Sequence, residues 1–128
     1  MVKRADRSVK HRAYQKAERA GKLAELLICL RYFFYGYRLL HWRHRTAFGE
    51  IDLIMKRGAH LCFIEVKYRK KWVDADAPVS HKQIQRLQDA ALASYHRLSP
   101  DGAYSCQFDI IVVHSPWRIV RFANHIPL

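Results

Sequence analysis

The sequence is short of acidic residues. Eleven Asp and Glu stand against 23 Lys and Arg, which gives a formal net charge of +12 over 128 residues. A surface this basic favours a polyanionic partner, and nucleic acid and an anionic membrane both qualify. Half of the residues are hydrophobic, so a chain of this length can still bury a substantial core.

The sequence also lacks a long hydrophobic run. The most apolar stretch, residues 23–37, contains Glu25 and Arg31 and is shorter than the roughly 20 apolar residues that span a bilayer. The basic N-terminus is not followed by an apolar region and a small-residue cleavage site, so no signal peptide is predicted. We therefore expect a cytoplasmic protein without membrane insertion.

Cysteine is scarce, and its pattern argues against a cysteine-based metal site. Cys29, Cys62 and Cys106 each lie in an apolar run, and none forms a C-x-x-C pair. We expect buried free thiols in a reducing compartment. His41 and His44 lie among arginines, without a second cluster that would complete a zinc shell.

The chain has no internal repeat and no evident linker, which indicates one domain. Residues 1–20 are predicted to be a basic N-terminal arm and the start of a helix, which begins at about Ser8, and residues 21–128 a single domain. The helix is expected to end at Gly36, and Ser80, with Gln83 in capping-box spacing, is expected to begin a second helix. Strands are predicted at 37–42, 50–55, 61–68, 107–113 and 117–122, with a loop at 74–78. This order, αβββαββ, predicts an α/β (α+β) fold with one mixed sheet flanked by helices.

The second and third strands form a hairpin that brings acidic residues together. A turn at Arg57-Gly58 pairs residues whose numbers sum to about 116 or 117, so Asp52 falls opposite or next to Glu65, with Cβ atoms about 5 Å apart. Glu65 and Lys67 share a face because side chains alternate along a strand. Adjacent carboxylates on an apolar hairpin are unfavourable unless a cation lies between them. The hairpin therefore predicts a Mg²⁺ (or Mn²⁺) site.

Such a site suits phosphodiester hydrolysis. The ion could polarise a phosphate and acidify a bound water, while Lys67 orients that water or stabilises the developing negative charge. The alternative is that Asp52 and Glu65 only form ion pairs with Lys67 and Arg69 on a solvated sheet face. Because E-x-K tripeptides are common, the spacing alone does not decide between these interpretations.

Two motifs closely resemble those of the small bacterial UPF0102 (YraN-like) family: FGEIDLI at residues 48–54 and FIEVKYR at residues 63–69. Similarity continues in GYRLL at 36–40, KQ at 82–83 and FDII at 108–111, and it covers roughly residues 21–113. That family is placed among restriction-endonuclease-like and Holliday-junction-resolvase-like folds. The resemblance therefore implies a restriction-endonuclease-like mixed sheet and a nuclease active site.

The family's active-site pattern is an Asp, a turn and then E-x-K. By this resemblance Asp52 and Glu65 would ligate the metal, and the carbonyl of Val66 would join them. Lys67 would be the catalytic lysine.

Several other polar residues have two interpretations. Related nucleases place an acidic residue on the first helix, and Glu25 is the candidate here. Many family members carry this Glu directly after the helix glycine, where this chain has Lys22. The alternative interpretation of Glu25 is a solvated helix residue. Gln83 contacts the metal-bound water or the phosphate, or serves only the helix cap. Asp109 has a structural or a catalytic role, and Glu50 is an outer acid of the site or the partner of a nearby Arg.

Basic and aromatic residues surround the predicted centre. The basic residues are Arg43, Arg45, Arg69, Lys70, Lys71, Lys82 and Arg86, and the aromatic ones are Trp42, Tyr68 and Trp72. Such a set suits phosphate contacts and base stacking, and an ordinary charged face is the alternative. No recognition helix or zinc finger is evident, so structure-selective or nonspecific binding is predicted.

The main hypothesis is a Mg²⁺-dependent endonuclease that hydrolyses phosphodiester bonds in DNA, branched or junction structures included. The sequence leaves the oligomeric state open between a monomer and a homodimer; junction-cleaving relatives act as dimers, and a twofold pair would present two active sites to two strands. A second hypothesis is a noncatalytic nucleic-acid-binding module on a nuclease-like scaffold, since a fold alone does not fix function. A third, an interaction protein at an anionic membrane surface, rests on the basic N-terminal residues. The complete set of Asp52, Glu65 and Lys67 favours the enzyme.

Overall fold

The computed structural model describes residues 2–69 and 80–124. The elements are α1 Val2–Phe34, β1 Arg38–Thr46, β2 Gly49–Arg57, β3 His60–Tyr68, α2 His81–Leu98, β4 Ser105–Ser115 and β5 Arg118–Asn124. This is a mixed α+β fold in the predicted order αβββαββ. The loop predicted at 74–78, together with Lys70, Lys71 and Trp72, lies outside the described residues.

The strands form one five-stranded sheet in the order β1-β2-β3-β4-β5. β3 and β4 are parallel, and the other neighbouring pairs are antiparallel. A parallel pair needs a crossover connection, and α2 lies within it. Several predicted site residues lie at the start of α2, the element that follows β3 in the chain.

α1 is longer than the sequence pattern predicted. It begins at Val2 and not at about Ser8, so the prediction that the first residues precede the helix is wrong. No glycine or proline interrupts residues 2–20, and Lys10 forms an (i, i+4) ion pair with Asp6 at 3.2 Å, which supports a helix there. No helix in the described ranges is long and apolar enough to cross a membrane.

Gly36 ends α1 as predicted. Its φ of +92° lies in the left-handed region, and the following N–H of Tyr37 donates to the carbonyl of Tyr32 at 3.0 Å. Together with the bond from the Gly36 N–H to the carbonyl of Phe33, also 3.0 Å, this is a Schellman motif. The motif turns the chain sharply into β1 and satisfies two of the last carbonyls of the helix.

Gly36→Ala should lower the free energy of unfolding by about 1–2 kcal/mol, because a side chain is strained at this φ. The added Cβ would also lie 3.4 Å from the side chain of Arg57. Gly21→Ala is the matched control, since Gly21 lies within α1 and its added Cβ meets nothing within 4 Å. That variant should be more stable than the parent by up to about 1 kcal/mol. Urea denaturation checks both signs, and stabilisation by Gly36→Ala would contradict the cap.

Both faces of the central strands β2, β3 and β4 are buried. Residues from β2, β3 and β4 pack with α2 on one face: Ile51, Ile54, Leu61, Phe63, Phe108, Ile110, Leu87, Ala90, Ala91 and Tyr95. Another set packs with α1 on the opposite face: Leu53, Met55, Cys62, Ile64, Ile111, Val113, Ala24, Ile28, Tyr32 and Tyr37. Double burial explains why β3 and β4 read as nearly continuous apolar runs.

The predicted buried stripe of α2 is confirmed for its central members. Leu87, Ala91 and Tyr95 are buried, and Ile84 and Leu98 are partly buried against the same cluster. The thiols Cys62 and Cys106 are buried and free, whereas Cys29 is only partly buried. The cysteine prediction therefore holds for two of the three residues.

Candidate active site

The hairpin of β2 and β3 has the predicted register. Leu53 lies opposite Ile64, and the pairing continues to Arg57 opposite His60, so paired numbers sum to 117. The pairing ends at Leu53 and Ile64, and Asp52, the preceding residue of β2, lies close enough to Glu65 for the two carboxyl groups to interact. The carboxylate Oδ2 of Asp52 accepts a hydrogen bond from the backbone N–H of Val66 at 2.8 Å, which fixes its orientation at the end of the hairpin.

Glu65 and Lys67 lie side by side and are largely shielded from water. Glu65 is 7% exposed, and its Oε1 lies 3.1 Å from Nζ of Lys67. Phe63, Glu65 and Lys67 are every second residue of β3, so their side chains lie on the same face of the sheet. Phe63 packs against α2 on that face. The alternative interpretation is therefore right about the ion pair between Glu65 and Lys67 and wrong about its setting, because the pair does not lie on a solvated sheet face.

One carboxylate oxygen of Glu65 has no nitrogen or hydroxyl donor. Oε2 of Glu65 is buried and receives no hydrogen bond from those groups of the described residues, so the protonated carboxyl of Asp52, which hydrogen-bonds to Glu65, is its neighbouring donor within the site. A buried carboxylate oxygen without such a donor is costly, because desolvation of the charge is not compensated. This oxygen is thus available to a cation that enters from outside the chain.

Burial strongly perturbs both acids. It raises the pKa of Asp52 from 3.8 to about 8, and the nearby charges of Glu65 and Glu25 add to the effect while the Val66 N–H opposes it. Burial also raises the pKa of Glu65, against the lowering effects of Lys67, of a hydrogen bond from Asp52 and of Arg86. Two carboxylates therefore share a site whose own positive groups are insufficient to keep both ionised, a condition that a bound cation would relieve.

Without divalent ions, the stability of the protein should fall as the pH rises towards about 8. The unfolded chain ionises Asp52 near 3.8, whereas the folded site holds its proton to about 8, so between these values the unfolded state binds fewer protons. The stabilisation is complete below the unfolded pKa and is lost as the pH rises through the folded one. Urea denaturation in EDTA from about pH 5 to about pH 9 measures the slope, which Asp52→Asn should flatten. Equal slopes for parent and variant would contradict the raised pKa.

Glu25 reaches the same region from α1 but is held by other side chains. It is 6% exposed, and its Oε2 accepts from Nε1 of Trp42 at 2.7 Å and from Nε of Arg43 at 3.2 Å. Its interpretation as a solvated helix residue is therefore wrong. In the described part of the chain, no three Asp, Glu, His or Cys side chains lie close enough together to hold one ion. The structure thus presents Asp52 and Glu65 as a pair, with Glu25 nearby in its own ion pair.

Arg43 has an unusual backbone conformation for a residue within a strand. Its φ is +52°, in the left-handed region that non-glycine residues rarely adopt. The guanidinium contacts both oxygens of Glu25, with Nη2 3.3 Å from Oε1. The structure pairs Arg43 with a buried acid, and the contact of Arg43 with phosphate stays a prediction.

The start of α2 carries further predicted residues, of which Arg86 is close enough to Glu65 to lower the pKa of that acid. Ser80 caps the helix as predicted, and its hydroxyl accepts from the backbone N–H of Gln83 at 3.3 Å. Ser80, Lys82, Gln83 and Arg86 line a shallow cavity of about 380 Å³. The Arg86 side chain lies 3.4 Å from where a Cβ would stand on Gly49, so the absence of a side chain there makes room for it.

The remaining predicted phosphate contacts have varied surroundings. Arg45 lies 3.6 Å from Oε2 of Glu50, which confirms that Glu50 is the partner of a nearby Arg. Nη1 of Arg69 donates to the carbonyl of Tyr68 at 3.0 Å. Lys70 and Lys71 fall outside the described residues.

Asp109 belongs to a different, structural network. It is 0% exposed and accepts from the hydroxyl of Tyr32 at 2.5 Å, from Nε2 of Gln107 at 2.9 Å and from Nε of Arg121 at 3.0 Å. The thiol of Cys62 also donates to it, at 3.3 Å. The structural role predicted for Asp109 is confirmed, and these contacts tie α1 to three strands of the sheet.

The chain is similar to a large set of bacterial proteins. The family model described as "Uncharacterised protein family UPF0102" matches residues 24–113. A UPF0102 protein of Mesorhizobium japonicum is 41% identical over 104 residues, which is 81% of this chain and 82% of the relative. One of Maricaulis maris is 45% identical over 117 residues, 91% of this chain and 92% of the relative. One of Paramagnetospirillum magneticum is 36% identical over 120 residues, 91% of this chain and 90% of the relative.

Proposed function

The chain belongs to the uncharacterised protein family UPF0102, and from the geometry of its acidic hairpin we propose that it is a metal-dependent endonuclease. The observation that carries the proposal is the buried pair of Asp52 and Glu65. One oxygen of Glu65 receives no hydrogen bond from a nitrogen or hydroxyl group of the described residues, and the ammonium group of Lys67 lies beside the other. The proposed reaction is hydrolysis of a phosphodiester bond.

The residues present fit Mg²⁺ or Mn²⁺. Mg²⁺ is commonly held by one or two carboxylates, with waters and substrate phosphate completing the shell, so a pair of acids is sufficient. Asp52 and Glu65 would hold the ion, and the Val66 carbonyl is a proposed third ligand. Glu25 is proposed only as a more distant acid, because Trp42 and Arg43 already occupy its carboxylate.

Each neighbouring residue has a chemical part in this proposal. When bound, the ion supplies Lewis-acid polarisation of the phosphate and lowers the pKa of a water. Lys67 stabilises the negative charge that develops on the scissile phosphate, in a site from which water is largely excluded. Gln83 offers a neutral hydrogen-bonding group at the start of α2. Lys82 and Arg86 beside it bind flanking phosphates.

DNA is the proposed substrate, with branched or junction structures included. The charge of +12 supports a polyanionic ligand, and binding through phosphates carries little sequence preference. A homodimer is part of the proposal, because two chains related by a twofold axis present two acidic pairs to two strands. We place this activity in the cytoplasm.

Calorimetric titration with Mn²⁺ separates the nuclease from a noncatalytic binding module on the same scaffold. The parent should bind the ion, and Glu65→Gln should weaken binding by about tenfold or more because a ligand charge is lost at nearly constant shape. Glu50→Gln is the matched control, since Glu50 lies on the neighbouring strand, is more exposed and pairs with Arg45. It should bind as the parent does. A parent that binds no divalent ion would leave the noncatalytic module as the better account.

A further inference from the structure

A cavity of about 430 Å³ lies between α1 and the sheet, on the face opposite to that of Glu65 and Lys67. Its volume lies in the range of pockets that bind small molecules, about 300–1,000 Å³. Arg57, one of its lining residues, is five residues from Asp52 along β2, which corresponds to roughly 17 Å. The cavity is therefore separate from the acidic pair.

Three guanidinium groups line this cavity, those of Arg31, Arg57 and Arg121. Arg121 is paired with Asp109, whose carboxylate already accepts several hydrogen bonds. Within the described ranges, Arg57 donates only to a neutral group, the carbonyl of Tyr35, at 3.1 Å. Arg31 forms no ion pair with any described residue. The cavity thus carries an excess of positive charge and offers two guanidinium groups that pair with no acid in residues 2–69 and 80–124.

Aromatic rings stand beside these charges. Tyr32, Tyr35 and Tyr37 all line the cavity, and the Arg57 guanidinium lies 4.6 Å from the ring centre of Tyr37. Tyr37 is buried and packs edge-on against Tyr32 at 5.3 Å, so these two rings form a fixed wall. Tyr35 is 66% exposed, which leaves its ring open to a ligand. Aromatic rings and guanidinium planes are the surfaces on which nucleobases stack.

We propose that this cavity binds a phosphorylated nucleotide, either free or at the 5′ end of a nucleic-acid strand. Arg31 and Arg57 bind the phosphate through charge-assisted hydrogen bonds, and the base stacks on Tyr35. Binding requires neither a divalent ion nor hydrolysis. The site is thus independent of the proposed nuclease activity.

Titration of the full chain with deoxyadenosine 5′-monophosphate in EDTA tests the site. The nucleotide should bind more tightly than deoxyadenosine or inorganic phosphate, because each of these has only half of the contacts. Arg31→Gln should weaken binding about tenfold or more, as expected for the loss of a hydrogen bond to a charged group. Arg31 is exposed and unpaired in the described structure, so this variant should keep the parent's unfolding midpoint. Tyr35→Ala should weaken binding of the nucleotide but not of phosphate.

Arg12→Gln is the matched control, because it removes the same charge from α1 roughly 28 Å away. It should leave nucleotide affinity unchanged. Oligonucleotides with a 5′ phosphate or a 5′ hydroxyl show whether the bound nucleotide is free or at the end of a strand. Preference for the phosphorylated oligonucleotide supports a strand end, and binding of the mononucleotide alone supports a free ligand. Three results would each overturn the proposal. Arg31→Gln and Arg12→Gln could lose equal nucleotide affinity, inorganic phosphate could bind as tightly as the nucleotide, or Lys67→Ala could lose nucleotide binding.

Discussion

Lys67→Ala should lower metal-dependent DNA cleavage by about 100-fold to 1,000-fold while divalent-ion binding persists. The substitution removes no carboxylate, so both acidic side chains proposed to hold the ion remain. It removes the ammonium group that lies 3.1 Å from Oε1 of Glu65 in a largely buried position. The negative charge that develops in the proposed reaction then loses the stabilisation that we assign to this ammonium group. Single-turnover cleavage and ion calorimetry on the same preparation measure the two effects.

Lys56→Ala is the matched control for this experiment. Lys56 lies at the other end of the hairpin, where its ammonium group contacts the hydroxyl of Tyr104 at 3.0 Å. The same change of charge there should leave cleavage unaltered. If Lys67→Ala cleaves as fast as Lys56→Ala, Lys67 only pairs with Glu65 and has no part in the chemistry.

Asp109→Ala should destabilise the protein by about 3 kcal/mol or more, because it leaves buried donors without an acceptor. Tyr32, Cys62 and Gln107 all donate to this fully buried carboxylate. Arg121 is half exposed and can turn to water, so its share of the loss is smaller. The midpoint and slope of urea denaturation give the change in the free energy of unfolding.

Asp101→Ala is a suitable comparison for Asp109→Ala. Asp101 is exposed and accepts one hydrogen bond, from the backbone N–H of Ala103 at 3.2 Å. Its replacement should cost about 1 kcal/mol or less. Similar stabilities for the two variants would mean that the network around Asp109 does not hold α1 on the sheet.

Local patterns were sufficient to predict the hairpin and its register. The turn glycine Gly58 adopts a φ of +57°, which the sequence signals, and side-chain alternation then decides which residues face each other. Asp52 and Glu65 could be placed together for that reason. The length of β1 could not be predicted in the same way, because its extension to Thr46 depends on continued pairing with β2.

The surroundings of Glu25 were not predictable, since they depend on contacts between distant parts of the chain. Trp42 and Arg43 are 17 and 18 residues away from it, and Arg43 reaches it from a left-handed backbone conformation. No local sequence pattern predicts a left-handed conformation for a non-glycine residue. The network of Asp109 is similar, because Tyr32 is 77 residues away.

Cleavage of linear, nicked and four-way DNA, with Mg²⁺, Mn²⁺ or EDTA, tests the central claim most directly. The parent protein should cut at least one of these substrates only when a divalent ion is present, and Glu65→Gln should cut none at a comparable rate. Glu50→Gln, which carries the same change on the neighbouring strand, should cut as the parent does. Cleavage by Glu65→Gln at the parent's rate, or no ion-dependent cleavage of any substrate by the parent, would contradict the account.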